Sequence, residues 1–307
     1  MINKAPKISV IGDGRVGSVV AYSLLLKELA GEIMLVDYNK NFAEGDALDM
    51  LHASAFTRQT DIVAGDYEDT KGSDIVIITA SIPMKDIKSR LDLCQGNTEL
   101  FKDIIPRLVK ASPEAVLILI SNPLDIMTYI ALKISKLAAG KVIGTGTMID
   151  SGRFRALVAS EARICPDEIH AFILGEHGDS QFPAFSSAEV GGRRFRDRSK
   201  DKLKELFDQT VKGGYAVMQK KGFTNYAIAM ATATLVDSIV NDRKKIYPVS
   251  TLINDYHGFS DLCISVPAVI GRNGVERVVD MEFTPEEEAA FKKSARMLQD
   301  INGSIKF

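Results

Sequence analysis

The sequence predicts an α/β protein in which a doubly wound parallel sheet is followed by an α+β domain. In the first half of the 307 residues, short β-branched runs alternate with helix-length stretches, an order typical of parallel strands with helical crossovers. The runs show no strict polar–apolar alternation, as expected for central strands covered on both faces. The pattern changes near residue 145, so we expect one domain over residues 1–145 and a second over residues 146–307.

Five runs are predicted to form the parallel strands, because each is too short for a helix. They are Ile8–Ile11, Ile33–Val36, Ile75–Thr79, Val116–Ile120 and Val142–Ile143. The intervening helices are predicted at Val16–Ala30, Leu91–Ala111 and Asp125–Ala138. Ligands of such sheets bind outside the carboxyl ends of the strands, so we expect functional residues there.

The second half contains three predicted helices. Within Asp201–Lys221, apolar residues recur at helical spacing, which is typical of a helix packed against a core. Another helix is predicted over Tyr226–Asp242. A last one is predicted from about Pro285, where a run of glutamates suits the positive N-terminal end of a helix. The pair Gly191–Gly192 predicts a turn beside exposed strands.

Composition excludes several classes of function. The 38 basic and 40 acidic residues leave a net charge of −2, so no overall positive field favours nucleic acid or anionic lipid. The three cysteines form no Cys-x-x-Cys pair, which argues against a disulfide framework or a metal site and for reduced thiols. No apolar run approaches the ~20 residues needed to cross a bilayer, and no signal-peptide core is present, so we expect a cytoplasmic protein.

The glycine-rich segment Gly12–Gly17, of sequence Gly-Asp-Gly-Arg-Val-Gly, follows a predicted strand and opens a helix. That context is the one that a dinucleotide-binding fingerprint requires. Gly12 permits a tight turn, Gly14 lets the backbone approach a pyrophosphate, and Gly17 lets helix and strand pack closely. The phosphates of a dinucleotide are therefore expected at this helix N-terminus, as in a Rossmann domain.

An acidic residue, Asp37, ends the second predicted strand, 20 residues beyond Gly17. A carboxylate at that place accepts hydrogen bonds from an adenosine ribose and repels a ribose 2′-phosphate. NAD is therefore favoured over NADP. Methyltransferases with a nucleoside cofactor share part of this pattern, so the fingerprint leaves the reaction open.

The second half carries a candidate site for proton transfer. His177 lies between small residues in Gly175–Ser180, and a histidine can both accept and donate the proton that alcohol oxidation requires. Asp150 and Arg153 are three residues apart and share a face if this segment is helical. The aspartate could orient the imidazole, and the arginine could bind a carboxylate bidentately.

Together these segments resemble the L-lactate/malate dehydrogenase family over nearly the whole chain, and within it the bacterial L-lactate and L-2-hydroxyisocaproate dehydrogenases. The motifs that carry the resemblance are Gly12–Gly17, Ser121–Pro123, Gly144–Arg153, Gly175–Ser180 and Pro267–Gly274. The resemblance implies an NAD-dependent oxidoreductase acting on small L-2-hydroxy acids, first of all on L-lactate and pyruvate.

The resemblance also implies roles for the matching residues. His177 is the proton donor and acceptor, and Asp150 keeps its tautomer and stabilises the imidazolium. Arg153 binds the substrate carboxylate. Arg90 lies on a closing loop and polarises the reacting carbonyl. The further implied substrate contacts are Asn122, Met84 and Thr224. The implied cofactor contacts are Gly12, Gly14, Arg15, Val16, Gly17, Asp37, Thr79, Ala80, Ser121, Asn122 and Ile228.

The loop before Arg90 departs from the family pattern. Six residues before the loop arginine, lactate dehydrogenases typically carry glutamine and malate dehydrogenases arginine, whereas this chain has Met84. Methionine cannot pair with the second carboxylate of oxaloacetate, and burying that charge unpaired is costly, so malate is disfavoured. A flexible apolar side chain suits pyruvate or a bulkier 2-oxo acid, which keeps an L-2-hydroxyisocaproate-type activity open. Ile87 also replaces a glycine expected near the loop tip.

Two further positions match the site that binds fructose 1,6-bisphosphate in allosteric bacterial lactate dehydrogenases. They are Arg155 and His170. Arginine suits phosphate, and histidine binds phosphate better when it is protonated, so activation is expected to weaken as pH rises. In the family this site lies between the subunits of a tetramer, which makes a homotetramer the expected assembly, with a dimer as the alternative.

A protein of another class could keep the same nucleotide fold: a non-catalytic regulator that senses NAD. Such a regulator has no need for His177, Asp150, Arg153 and Arg90 together. Their joint presence in the sequence favours an enzyme.

Overall fold

The structure, a computed structural model, describes residues 5–83, 90–194 and 200–305. Met84 and Ile87, which bear on the predicted substrate preference, lie outside the described residues. The third helix begins at Arg90, but the side chain of Arg90 is likewise outside the described part.

The first half of the chain forms six parallel strands. They are β1 (Lys7–Ile11), β2 (Glu32–Val36), β3 (Asp61–Ala64), β4 (Ile75–Ile78), β5 (Val116–Leu119) and β6 (Val142–Gly144). Their order in the sheet is β3-β2-β1-β4-β5-β6. The five predicted strands are confirmed as β1, β2, β4, β5 and β6. The sequence does not predict β3 because it is a four-residue strand in which only Ile62 is fully buried.

Helices cover both faces of this sheet, which confirms the doubly wound fold. The first four helices are α1 (Gly17–Leu26), α2 (Lys40–Ala53), α3 (Arg90–Ala111) and α4 (Leu124–Ser135). Buried side chains of α1 and α2 pack on one face, and those of α3 and α4 pack on the other. Within the described ranges, no helix is long and apolar enough to span a membrane.

The second half adds helices, short strands and three long strands. The helices are α5 (Met148–Ala162), α6 (Lys200–Lys221), α7 (Tyr226–Val240) and α8 (Pro285–Ser304). The short strands are β7 (Ile169–His170), β8 (Ile173–Leu174), β9 (Phe182–Pro183), β10 (Glu189–Val190) and β11 (Arg193–Arg194). The predicted turn lies between β10 and β11, where Gly191 and Gly192 both have positive φ. The predicted acidic start of α8 is a capping box, in which Thr284 and Glu287 bind each other's main-chain N–H groups.

Three long antiparallel strands extend the central sheet. They are β12 (Lys245–Ile253), β13 (Leu262–Gly271) and β14 (Gly274–Val278). β12 pairs with β6 at Ser250 and Gly144, and β13 and β14 follow, so that the sheet has nine strands. The sequence does not predict these strands: β13 is buried along its whole length, and periodicity cannot distinguish such a run from a buried helix.

Two large apolar cores lie on the two faces of the sheet, and both halves of the chain contribute to each. Side chains of α7 join the core under α1 and α2, while side chains of α8 join the core under α3 and α4. A smaller core between α5 and α6 contains Phe154, Val158, Leu203 and Leu206. The long helix α6 is thereby fixed across α5, which bears Asp150 and Arg153.

The turn from β1 into α1 depends on two glycines. Gly12 has φ +97°, and a Cβ on it would lie 2.7 Å from the main-chain nitrogen of Ala80. A Cβ on Gly17 would overlap the main-chain carbonyl of Gly12. The first glycine supplies a left-handed conformation and the second a close approach of helix to loop. The predicted roles of both thus have a steric basis.

Gly17→Ala is expected to lower the free energy of unfolding by about 1–3 kcal/mol, because the added methyl must displace the loop backbone. It is also expected to weaken NADH binding at least about tenfold, which corresponds to ~1.4 kcal/mol. Thermal unfolding and a fluorescence titration with NADH measure the two effects.

Gly45→Ala on α2 is the matched control. In the described part of the chain no heavy atom lies within 4 Å of a Cβ built there, and alanine favours a helix over glycine by roughly 1 kcal/mol. This variant should be as stable as the wild type or more stable, with unchanged NADH affinity. Equal behaviour of the two variants would contradict the steric role of Gly17.

Candidate active site

The glycine-rich loop opens at the carboxyl end of the parallel strands. Its turn is held by hydrogen bonds from Gly12 N to the carbonyl of Val36 (2.8 Å) and from Thr79 Oγ1 to the carbonyl of Gly12 (2.6 Å). Around Gly14, in contrast, no described heavy atom lies within 4 Å of where a Cβ would be. The backbone at Gly14 therefore faces open space of the kind that a pyrophosphate requires.

Asp37 lies beside this loop, at the end of β2. Its carboxylate accepts hydrogen bonds from the main-chain N–H of Asp13 (2.8 Å) and of Asn39 (2.9 Å). These two bonds fix the carboxylate next to the loop without using a side-chain cation. The remaining acceptor capacity of the carboxylate is what a ribose hydroxyl would need. The glycine loop and Asp37 together fit a dinucleotide.

The middle residue of the loop, Asp13, carries a fully buried carboxyl group. Burial, with the charges of Asp46 and Asp37, raises the pKa of Asp13 to about 8. Neither carboxyl oxygen has a hydrogen-bond partner among the described residues. Because a carboxyl group with that pKa is mostly neutral at pH 7, it adds little negative charge where phosphates would lie.

The predicted chemical residues meet around one buried carboxylate. Asp150, 2% exposed, lies in the first turn of α5. Its Oδ2 lies 2.7 Å from Nδ1 of His177, and its Oδ1 accepts a 2.9 Å hydrogen bond from Nη1 of Arg153. The predicted i,i+3 pair on one helix face is therefore present, and the histidine joins it. Since Nδ1 faces Asp150, Nε2 is the imidazole nitrogen left to exchange a proton with a ligand.

The electrostatics of this triad favour a charged histidine. Burial by itself lowers the pKa of the His177 imidazole, but the charge and hydrogen bond of Asp150, with a further contribution from Asp125, raise it above its usual value. The cation of Arg153 opposes that rise. Burial by itself raises the pKa of Asp150, and the charges and hydrogen bonds of His177 and Arg153 bring it below its usual value. The aspartate stays ionised and stabilises the imidazolium.

A cavity of about 380 Å³ joins this triad to the nucleotide loop. Seven of the predicted site residues line it: Val16, Asn122, Asp150, Arg153, His177, Thr224 and Ile228. Apolar walls come from residues that include Leu93, Val211 and Met218. A larger cavity of about 740 Å³ lies at the amino ends of the parallel strands and contains none of the predicted residues. The smaller cavity is therefore the candidate active site.

Other predicted residues lie beside or apart from this cavity. Ala80 accepts a 2.6 Å hydrogen bond from Ser121 Oγ, which links the ends of β4 and β5 near the glycine loop. Arg155 and His170 line a separate cavity of about 90 Å³. There Nε of Arg155 is buried and has no hydrogen-bond partner among the described residues. The described residues contain no cluster of three side chains that could hold a metal ion.

Three contacts at the cavity are not predicted from the sequence. Asp125 accepts the main-chain N–H of His177 at 2.7 Å. Asn97 donates a 2.7 Å hydrogen bond to the main-chain carbonyl of Asn122. The guanidinium of Arg15 lies 4.6 Å from the ring centroid of Phe223, next to Thr224. The position of Asp125 close to the Ser121–Pro123 motif was a signal for that residue, but all three contacts join segments far apart in the sequence.

Comparison with family models covers almost the whole chain. Residues 6–144 match the model described as lactate/malate dehydrogenase, NAD binding domain. Residues 147–306 match the model described as lactate/malate dehydrogenase, alpha/beta C-terminal domain.

Named relatives and solved structures agree with these matches. The L-lactate dehydrogenase of Thermoanaerobacter sp. (strain X514) is 41% identical over 303 residues, covering 96% of this chain and 97% of the relative. L-lactate dehydrogenase 1 of Clostridium acetobutylicum is 39% identical and covers 99% of this chain and 100% of the relative. The crystal structure of a minor L-lactate dehydrogenase from Enterococcus mundtii superposes with a TM-score of 0.95 at 33% identity, covering 99% of each chain. A lactate dehydrogenase from a Medee basin deep-sea metagenome library gives a TM-score of 0.95 at 32% identity, covering 99% of this chain and 100% of the other.

Asp150→Asn is expected to lower the pKa of His177 by about one pH unit or more, because the imidazolium loses its charged partner while the side-chain shape is kept. An NMR titration of the imidazole signals measures the shift. Asp179→Asn is the control: Asp179 lies in the same loop but accepts its hydrogen bond from Tyr215. An unchanged titration of His177 in the Asp150 variant would contradict the pairing.

Proposed function

This chain belongs to the lactate/malate dehydrogenase family, and we propose that it is an NAD-dependent L-lactate dehydrogenase, which reduces pyruvate to L-lactate and catalyses the reverse oxidation. The observation that carries the proposal is the contact of one buried carboxylate, Asp150, with both His177 and Arg153 at a cavity shared with the glycine loop. That arrangement places a proton donor beside a carboxylate-binding cation, as a 2-oxo acid requires.

Bound NAD supplies the hydride chemistry, and the chain supplies position, a proton and charge. In pyruvate reduction, Nε2 of protonated His177 donates its proton to the carbonyl oxygen. In lactate oxidation, the neutral imidazole takes the hydroxyl proton back. Asp150 holds the ring through Nδ1 and stabilises the imidazolium. Arg153 binds the substrate carboxylate through N–H groups not used by Asp150.

We assign the remaining site residues as the resemblance implies. Arg90 polarises the reacting carbonyl, and Asn122, Thr224 and Met84 contact the substrate. The dinucleotide is bound by Gly12, Gly14, Arg15, Val16, Gly17, Asp37, Thr79, Ala80, Ser121, Asn122 and Ile228. The division into domains at residues 1–145 and 146–307 follows the same assignment, with the dinucleotide on the first and most of the chemistry on the second.

A second candidate is an L-2-hydroxyisocaproate-type dehydrogenase acting on bulkier apolar 2-oxo acids. It is favoured by Met84, which offers no polar group to a substrate side chain, and by the apolar cavity wall of Leu93, Val211 and Met218. Malate is less favoured, because the second carboxylate of oxaloacetate would lack a partner at Met84. A non-catalytic NAD sensor is least favoured, since it has no use for the triad.

We also propose a regulatory site and an assembly. Arg155 and His170 line one small cavity, and the buried Nε of Arg155 has no hydrogen-bond partner among the described residues. A fructose 1,6-bisphosphate bound there would be shared between subunits of a homotetramer. Exposed apolar side chains on α1 and α2, among them Leu26, Leu48 and Leu51, provide surface for subunit contacts. A cytoplasmic location accords with reduced thiols and a cytosolic substrate.

The substrate is tested by comparing kcat/KM for pyruvate, 2-oxoisocaproate, phenylpyruvate and oxaloacetate with NADH. Pyruvate and 2-oxoisocaproate are expected within about 100-fold of each other, because a methylene in an apolar pocket contributes only ~1–3 kcal/mol. Oxaloacetate is expected to be at least about 100-fold poorer, since it buries an unpaired charge. Oxaloacetate as the best substrate would refute the interpretation of Met84. NADH binding without turnover of any 2-oxo acid would favour the sensor.

The effector is tested by pyruvate saturation curves at about pH 6 and about pH 8, with and without fructose 1,6-bisphosphate. The bisphosphate is expected to lower the half-saturating pyruvate concentration more at the lower pH, where histidine is protonated. Arg155→Gln should abolish the effect, whereas Arg163→Gln, at the C-terminal end of α5, should retain it. No shift at either pH would remove the proposed site.

A further inference from the structure

A second carboxylate, that of Asp125, contacts His177 at its main chain. Asp125 lies in the first turn of α4 and is only 2% exposed. Its Oδ2 accepts the main-chain N–H of His177 at 2.7 Å, and its Oδ1 accepts a hydrogen bond from Ser265 Oγ of β13 at 3.3 Å. A buried carboxylate is costly unless its charge is compensated. Among the described groups, the charge of the His177 imidazolium compensates that of Asp125.

The charged and titratable groups next to Asp125 come from two elements. His177 and Glu176 lie on the loop after β8, and the buried thiol of Cys263 lies on β13. Burial raises the pKa of Asp125 to about 6. The hydroxyl of Ser250 on β12 and the main-chain N–H and charge of His177 oppose the rise, and the charge of Glu176 adds to it. On the other side of the imidazole lie Asp150 and Arg153 of α5.

Asp125 is one of several contacts that hold the loop of His177; the neighbouring main-chain N–H of Glu176 donates to Ser294 Oγ at 2.6 Å. Gly175 has φ +93°, and its main chain pairs with that of Ser265 on β13 through two hydrogen bonds of 3.0 and 3.1 Å. One residue after His177, the glycine Gly178 leaves the backbone without side-chain restraint. Asp125 therefore holds the main chain at His177, whereas Asp150 holds the ring.

We propose that Asp125 is a positioning residue for the reaction: it fixes the main chain of His177, and its negative charge favours the protonated imidazole. The inference rests on the proposed role of His177 as proton donor and acceptor. With His177 protonated, the carboxylates of Asp125 and Asp150 balance the cations of His177 and Arg153. When His177 transfers its proton to the carbonyl oxygen of a 2-oxo acid, one uncompensated negative charge remains, which favours recapture of a proton.

The first test needs no turnover. The chain has four histidines, and the imidazole signal lost in His177→Asn identifies His177 in the NMR spectrum. Asp125→Asn keeps an oxygen acceptor for the main-chain N–H but removes the charge. It is expected to lower the midpoint of the His177 titration by about half a pH unit or more. An unshifted midpoint would overturn the electrostatic role of Asp125.

The second test uses both directions of the reaction. Pyruvate reduction needs protonated His177, so the pH above which its kcat/KM declines should move down in Asp125→Asn. Lactate oxidation needs the neutral imidazole, so the pH at which its kcat/KM rises should move down as well. A variant that merely distorts the site would lower kcat/KM in both directions without changing the pH at which either value rises or declines. That result would overturn the proposal.

A second variant keeps the proposal testable if Asp125→Asn does not fold. Ser265→Ala leaves the carboxylate but removes a donor that stabilises its charge. It should therefore lower the midpoint of the His177 titration as well, by a smaller amount. Thr128→Val on α4 is the control, because the Thr128 hydroxyl bonds only the carbonyl of Leu124 among the contacts described. It should leave the titration unchanged. A wild-type protein inactive on every 2-oxo acid would refute the proposed function, while the titration would still decide on Asp125.

Discussion

The candidate site depends on the buried carboxylate of Asp150, which binds the imidazole of His177 with one oxygen and the guanidinium of Arg153 with the other. Burying a carboxylate costs several kcal/mol unless its charge and lone pairs are satisfied. Here two cationic partners compensate it, and the same contacts determine which imidazole nitrogen faces the cavity. Loss of either partner would leave the charge of Asp150 less compensated, so His177 and Arg153 are physically coupled through it.

The nine-stranded sheet is what brings this triad to the dinucleotide loop. The helix α5, which carries Asp150 and Arg153, follows directly after β6 at the carboxyl edge of the parallel strands. The loop with His177 is tied to β13 through the pairing of Gly175 and Ser265. Because β12 and β13 continue the sheet beyond β6, residues from both halves of the chain line one cavity without a flexible connection between them.

Charge in this protein acts locally. The net charge is only −2, so an overall field contributes little to binding an anion. Single charges held in place act instead over short distances, as the guanidinium of Arg153 does beside the carboxylate of Asp150. Around the imidazole, Asp150 and Asp125 raise its proton affinity, while Arg153 limits that rise. Within the glycine-rich loop Gly12–Gly17, burial keeps the carboxyl group of Asp13 largely neutral. For both His177 and Asp13, burial and nearby charges together set the pKa.

The sequence by itself determined the doubly wound sheet, because β-branched runs and helical spacing are local patterns. It also identified the glycine loop, Asp37 and the His177, Asp150 and Arg153 set, because each belongs to a contiguous motif. Only the tertiary structure decided that β12–β14 extend the sheet. β13 is wholly buried and so has no distinctive periodicity, and β12 pairs with β6 through positions far apart in the sequence. The tertiary structure alone decided that Asp125 meets His177 and that Arg15 stacks on Phe223, since contacts between residues distant in the sequence form only when the elements pack. The sequence shows which acidic and basic side chains are present. Their protonation states depend on burial and on neighbouring charges, which only the folded structure supplies.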